Sequence, residues 1–145
     1  MGMLFSFFGR IGRGGWWLGV LGAIICAVIA FGLAALLAGA PFAMVNPDGT
    51  VVPMGVPAGP DAKFVTNPAS LAIIGVGYLF GIWISLATSV KRLHDRGRSG
   101  WWLLLMFVLS FIIVGGIWQL IECGILEGQQ GPNKYGSDPR ATQKA

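Results

Sequence analysis

Lys91-Arg92-Leu93-His94-Asp95-Arg96-Gly97-Arg98-Ser99-Gly100-Trp101-Trp102 is the stretch of this chain whose residue types could do chemistry. A histidine beside a carboxylate suits acid–base work, and arginines suit the holding of a phosphate. The segment lacks a nucleophile, a second histidine and a clustered carboxylate pair, so no catalytic residue is assigned and the chain is not expected to be an enzyme. Binding explains it better. Four cations beside an anionic leaflet would contribute about 1 kcal/mol each. Asp95 opposes that attraction unless it pairs with Arg92, Arg96 or His94. The candidate lipid- or partner-binding set is therefore Arg92, His94, Asp95, Arg96, Arg98, Trp101 and Trp102, with Ser99 placed to cap the helix that follows.

The elements that must position this set are apolar and long. Trp16 to Gly39 holds no charged residue, and as a helix it would reach about 36 Å against a hydrocarbon core of about 30 Å. Residues 69–90 form a second uncharged span, and residues 101–121 a third. Gly115-Gly116 could kink the third span or make it re-entrant, and two full crossings do not fit there. The expected fold is all-α: a single polytopic membrane domain of three transmembrane helices plus a short N-terminal interfacial helix. That interfacial segment, residues 1–15, is expected from the stripe Leu4, Phe5, Phe7, Phe8 and Ile11. Residues 40–68 hold six prolines and the turn signal Asn46-Pro47-Asp48-Gly49. They read as an exposed external loop with one short hairpin around Val51 and Val52. Residues 91–100 form a basic loop and residues 122–145 an irregular tail.

Composition supports the same reading. Of 145 residues, 11% are charged and 54% hydrophobic, with a mean hydropathy of +0.71, whereas about 25% of an average soluble protein is charged. Such a chain could not cover a soluble core with polar surface. The formal charge of +4 is not a nucleic-acid footprint, because the basic residues stand beside the apolar spans. Their distribution places the N-terminus and the 91–100 loop in the cytoplasm, while a re-entrant third segment would return the tail to that side. The absence of ionisable residues within the spans disfavours a monomeric pump.

Cys26 and Cys123 are distant from each other, and neither belongs to a CxxC pair. Neither a metal site nor a cofactor is expected. The pairs Trp16-Trp17 and Trp101-Trp102 begin spans beside basic residues, where amphipathic rings settle at headgroup depth. Small residues recur every fourth position: Gly15, Gly19, Ala23 and Ala27, then Gly77, Gly81, Ser85 and Ser89. These two faces should pack together, within one copy or between copies.

Three stretches together resemble a known family. They are Gly9-Arg10-Ile11-Gly12-Arg13 before a tryptophan-rich span, Arg92-Leu93-His94-Asp95 with Ser99-Gly100-Trp101-Trp102, and a tail with Gly131, Asn133, Tyr135-Gly136 and Asp138-Pro139. The chain resembles the domain of unknown function 805 family of small bacterial inner-membrane proteins over nearly its whole length. The resemblance implies a multi-pass protein of the bacterial cytoplasmic membrane with no established activity, substrate or cofactor. The expected function is a non-enzymatic membrane module whose basic loop faces anionic headgroups or an acidic partner. The alternatives are a subunit of an oligomeric transporter or channel, as a homo-oligomer or with another membrane protein, and then a lipid-headgroup enzyme.

Overall fold

The computed structural model describes residues 6–141, which form two compact units: residues 6–23 with 82–141, and residues 24–81. Two long helices contribute to both. Helix α1 (Arg13–Ala38) and helix α2 (Pro68–Asp95) are each long and apolar enough to cross a membrane. Only 11% and 17% of their most apolar windows are buried, so neither is the core helix of a soluble protein. Their exposed leucines, isoleucines and valines belong in lipid. The chain is a membrane protein.

The ends of both helices follow from local chemistry. α1 stops where Gly39 takes φ +87, with Pro41 two residues on. α2 starts at Pro68 behind Asn67, whose Oδ1 accepts the N–H groups of Ala69 (3.1 Å) and Ser70 (3.3 Å). It ends at Gly97, φ +73, where Arg98 N–H donates to the Leu93 carbonyl (2.9 Å) and Gly97 N–H to that of His94 (3.0 Å).

The unit of residues 24–81 carries a small antiparallel sheet: β1 (Phe42–Val45), β2 (Val51–Pro53) and β3 (Lys63–Thr66), in the order β2-β1-β3. The expected hairpin is β1-β2, with Val45 opposite Val51. Asp48 Oδ1 holds its turn by accepting from Thr50 N–H (2.9 Å) and Oγ1 (2.7 Å). The loop expected at residues 40–68 thus contains a third strand, too short and too exposed to show as an alternating pattern. In the same unit a Cβ on Gly77 would overlap the Ala30 side chain. In the other unit a Cβ on Gly19 would collide with Thr88. Gly19 and Gly77, from the two small-residue faces, therefore mark close helix approaches within one copy.

The third apolar stretch is not one continuous span. It is α3 (Trp101–Ser110), a break at residues 111–113, α4 (Val114–Gln119) and a π-helical turn (Leu120–Ile125). α3 reaches about 15 Å, roughly half a hydrocarbon core. Ile113 takes a left-handed conformation, φ +67, and reverses the chain. Gly115 then lies so close to α3 that a Cβ would overlap the backbone of Met106 and Ser110. Trp118 returns to Trp102, with ring centroids 5.8 Å apart and edge to face. The segment is a short helical hairpin, reversed at Ile113 just before Gly115-Gly116.

Two further expectations are corrected. Residues 6–12 are not helical, so among the described residues there is no N-terminal interfacial helix, while Met1 to Phe5 lie outside them. Gly9, at φ +96, and Gly12 disfavour helix there, and the Arg10 side chain is fixed elsewhere. Ser99 makes no side-chain cap; its carbonyl accepts Trp102 N–H (3.2 Å).

Candidate functional site

The chemistry-bearing residues gather in the unit of residues 6–23 and 82–141, around the C-terminal end of α2. The i, i+3 spacing of Arg92 and Asp95 puts both side chains on one face. Arg92 is wholly buried and donates from Nε to the Cys123 carbonyl (2.9 Å), from Nη1 to Asp95 Oδ2 and from Nη2 to the Leu126 carbonyl. Arg10 approaches the other carboxylate oxygen: its Nε donates to Asp95 Oδ1 (3.1 Å). Its remaining donors serve the tail carbonyls of Gly131 (2.7 Å), Gly136 (3.2 Å) and Gln129 (2.6 Å). Gln129 N–H in turn donates to the Asp95 carbonyl (2.9 Å). A Cβ on Gly128 would overlap the Asp95 carboxylate, so only glycine lets the tail pass there. This tail has little regular structure, and the guanidinium groups satisfy carbonyls that have no ladder to join.

A second ion cluster ties down the returning hairpin. Arg96 Nε and Arg98 Nε meet Glu122 Oε1 at 3.1 and 2.8 Å, and Arg96 Nη1 donates to the Glu127 carbonyl (2.5 Å). The π-helical turn buries Glu122 and Cys123, and places Gly124 against the rings of Trp16 and Trp17. Buried Trp16 donates from Nε1 to Ser89 Oγ (3.1 Å), which also accepts from Gln119 Nε2 (3.2 Å). Trp16, Leu93, Met106 and Cys123 form the apolar core beneath the ion clusters.

The expected binding set is thus divided. Arg92, Asp95, Arg96 and Arg98 come together as internal ties. His94 stands apart from the Asp95 carboxylate: its ring stacks on Tyr135 at 3.9 Å, and its carbonyl accepts from Asn133 Nδ2 (3.0 Å). Trp101 is 78% exposed, while Trp102 packs under Arg98, whose guanidinium carbon lies 4.4 Å from the ring centroid. Sequence reasoning did not place Arg10, Glu122 or Gly128 in the site. A lone carboxylate closing an apolar run was the available signal for Glu122, because a charge there needs a partner.

Beside the buried pair lies a groove of about 560 Å³. Arg10, Arg13, Arg92 and Arg140 line it with the carboxylates Asp95 and Glu127, the backbone of Gly12 to Gly15, Gly128, Pro139 and the apolar Ile11 and Leu18. Arg13 donates to Glu127 Oε1 (3.3 Å) and to the Ile125 carbonyl (3.2 Å), with its side chain half exposed. Arg140 is bound to Asp138 (3.2 Å) and to the Gly128 carbonyl (3.2 Å). Among the described residues no group of His, Cys, Asp and Glu could hold a metal ion.

Comparison with known proteins gives three relatives from Escherichia coli K12. "Uncharacterized protein YiiR" is 41% identical over a match covering 39% of this chain and 53% of YiiR. "Inner membrane protein YhaI" is 47% identical, covering 38% of this chain and 43% of YhaI. "Inner membrane protein YhaH" is 38% identical, covering 43% and 50%. The chain spans about half the length of these curated relatives. No solved structure matches it. The family described as "Protein of unknown function (DUF805)" matches residues 4–137, a range that takes in the arginine-bearing start, both long helices, the hairpin and most of the tail. This chain belongs to the DUF805 family.

Proposed function

We propose that this chain is a non-enzymatic module of the bacterial inner membrane, whose arginine-rich end faces the cytoplasm and engages anionic phospholipid headgroups. The names of YhaI and YhaH support the inner-membrane placement. The observation that carries the reading is an asymmetry of charge. Among the described residues, Arg10, Arg13, Lys91, Arg92, Arg96, Arg98, Lys134 and Arg140 share one unit with only Asp95, Glu122, Glu127 and Asp138. The other unit holds Lys63 with Asp48 and Asp61. Ion pairs cancel part of the excess, and half-exposed Arg13 stands where α1 enters its apolar span, the depth at which lipid phosphates lie. Trp101, exposed beside Arg98, adds a ring suited to that depth.

The hydrogen bonding of His94 and Asp95 supports the non-enzymatic part. The Asp95 carboxylate is committed to two guanidinium groups and does not orient the imidazole as an acid–base pair requires. The test is thermal unfolding of the purified protein in micelles doped with phosphatidylglycerol or phosphatidylcholine, at low and high salt. Phosphatidylglycerol should raise the midpoint further, and salt should shrink the difference. Equal effects of the two lipids would refute headgroup recognition. A difference indifferent to salt would refute its electrostatic origin.

A further inference from the structure

Resting on that reading but going beyond diffuse charge, the geometry points to a discrete site for a phosphate ester in the groove at the start of α1. Four guanidinium groups, from Arg10, Arg13, Arg92 and Arg140, line this cavity with the carboxylates Asp95 and Glu127, and Arg140 is paired with Asp138, so one positive charge remains in excess. Its volume of about 560 Å³ falls within the range of small-ligand sites. Planar guanidinium forks match phosphate oxygens in pairs, which makes a phosphate the anion these side chains suit best.

The four arginines have different tasks. Arg10 is engaged with Asp95 and three tail carbonyls, and it shapes the wall. Arg92 is wholly buried and donates from all three nitrogens to Cys123, Asp95 and Leu126, so it adds fixed positive charge to the floor of the groove. Among the described residues Arg13 meets the Ile125 carbonyl and Glu127, whose side chain is 64% exposed. Solvent screens an exposed pair of this kind, so an arriving phosphate can displace the Glu127 carboxylate. Nothing stands within 4 Å of where a Cβ would lie on Gly12 or Gly14, so the backbone beside Arg13 is open to a ligand.

Leu18 gives the site its second property. It lines the groove just over one turn into α1 and is 60% exposed. A phosphate held at Arg13 would have an apolar wall immediately beside it. This is the arrangement of a glycerophospholipid, with charge in the groove and a hydrocarbon chain running down the helix. A soluble phosphate ester shares the charged half of that chemistry and lacks the other.

The full chain in a nonionic detergent is titrated with dihexanoyl phosphatidylglycerol, dihexanoyl phosphatidylcholine and inorganic phosphate, and tryptophan fluorescence is read. Phosphatidylglycerol should saturate at one molecule per chain. Arg13→Gln should weaken it about tenfold, the effect of losing one charge-assisted contact. Glu127→Gln should tighten it several-fold, a gain that a folding defect cannot mimic, and Lys63→Gln, outside the groove, should leave it unchanged. Saturation by inorganic phosphate at the same concentration as the lipid would support the phosphate site and assign a soluble ester to it; saturation by the lipid alone assigns the lipid. If Arg13→Gln and Glu127→Gln both titrate as the parent while anionic lipid is still preferred, the groove is overturned and the wider headgroup reading stands. If the parent shows no anionic preference, both fall.

Discussion

At the scale of single residues, Asp95 has the greatest structural consequence. Its carboxylate answers two buried guanidinium groups, Arg92 one helical turn away and Arg10 from 85 residues earlier in the sequence. Removing one partner of a buried pair leaves a charge without compensation, which costs about 3–5 kcal/mol. Asp95→Asn should lower stability in detergent by that order, measured by thermal unfolding; a midpoint within a degree of the parent would show that the pair is dispensable. Half of this pairing was legible, because a carboxylate among four cations had to pair locally, and Arg92 is one helical turn away. Arg10 was not legible, since no periodicity links positions 85 residues apart. A milder effect belongs to Asp138. The Arg140 backbone N–H and guanidinium, with Gly131 N–H, hold its carboxyl down at about 2, against an ordinary 3.8. A depressed folded value means the contact contributes fully above pH 3.8 and is lost as pH falls through about 2. The amide proton of Gly131, which donates to Asp138 Oδ2 (3.0 Å), should therefore titrate near pH 2 rather than near 3.8.

At the scale of elements, α1 and the start of α2 were readable to within a few residues, but α2 continues through Lys91 to Asp95, which was expected in the basic loop 91–100. Uncharged length marks the lipid-facing part of a helix and not its end, set here by Gly97. The third apolar stretch was ambiguous for a physical reason: hydropathy measures how much chain prefers lipid, and a half-depth hairpin prefers it as strongly as a span does. What decides is the reversal at Ile113 and the close approach at Gly115. A β-branched residue in the left-handed region is strained by about 1–2 kcal/mol. Ile113→Gly should therefore raise stability by about 1 kcal/mol in denaturant or thermal unfolding, and destabilisation would mean that the reversal lies elsewhere. Small-residue spacing marked Gly19 and Gly77 as points of close helix approach, although the side chains they meet, Thr88 and Ala30, lie outside the two expected faces. Gly77→Val must push Ala30 aside and should cost about 1–3 kcal/mol on the same measurement; an unchanged midpoint would remove the close contact.

At the scale of the whole chain, the hairpin changes what the basic residues can do. Because the chain turns back at Ile113, Glu122 reaches Arg96 and Arg98, and the tail reaches Arg10. The N-terminal segment, the 91–100 segment and the tail thereby meet in one body, and the groove exists only because all three contribute to it. A third full span would have separated the tail from the arginines and left no such groove. In the proposed function the positive-inside rule orients that body toward the cytoplasm, where the anionic leaflet would supply the ligand chemistry. Reporters that are active on only one side of the membrane, fused in separate proteins to the N-terminus and to the C-terminus, test this arrangement most directly. Both should report the cytoplasm; reporters active on opposite sides would contradict the hairpin, and with it the joining of Arg10, Arg92 and the tail around one groove.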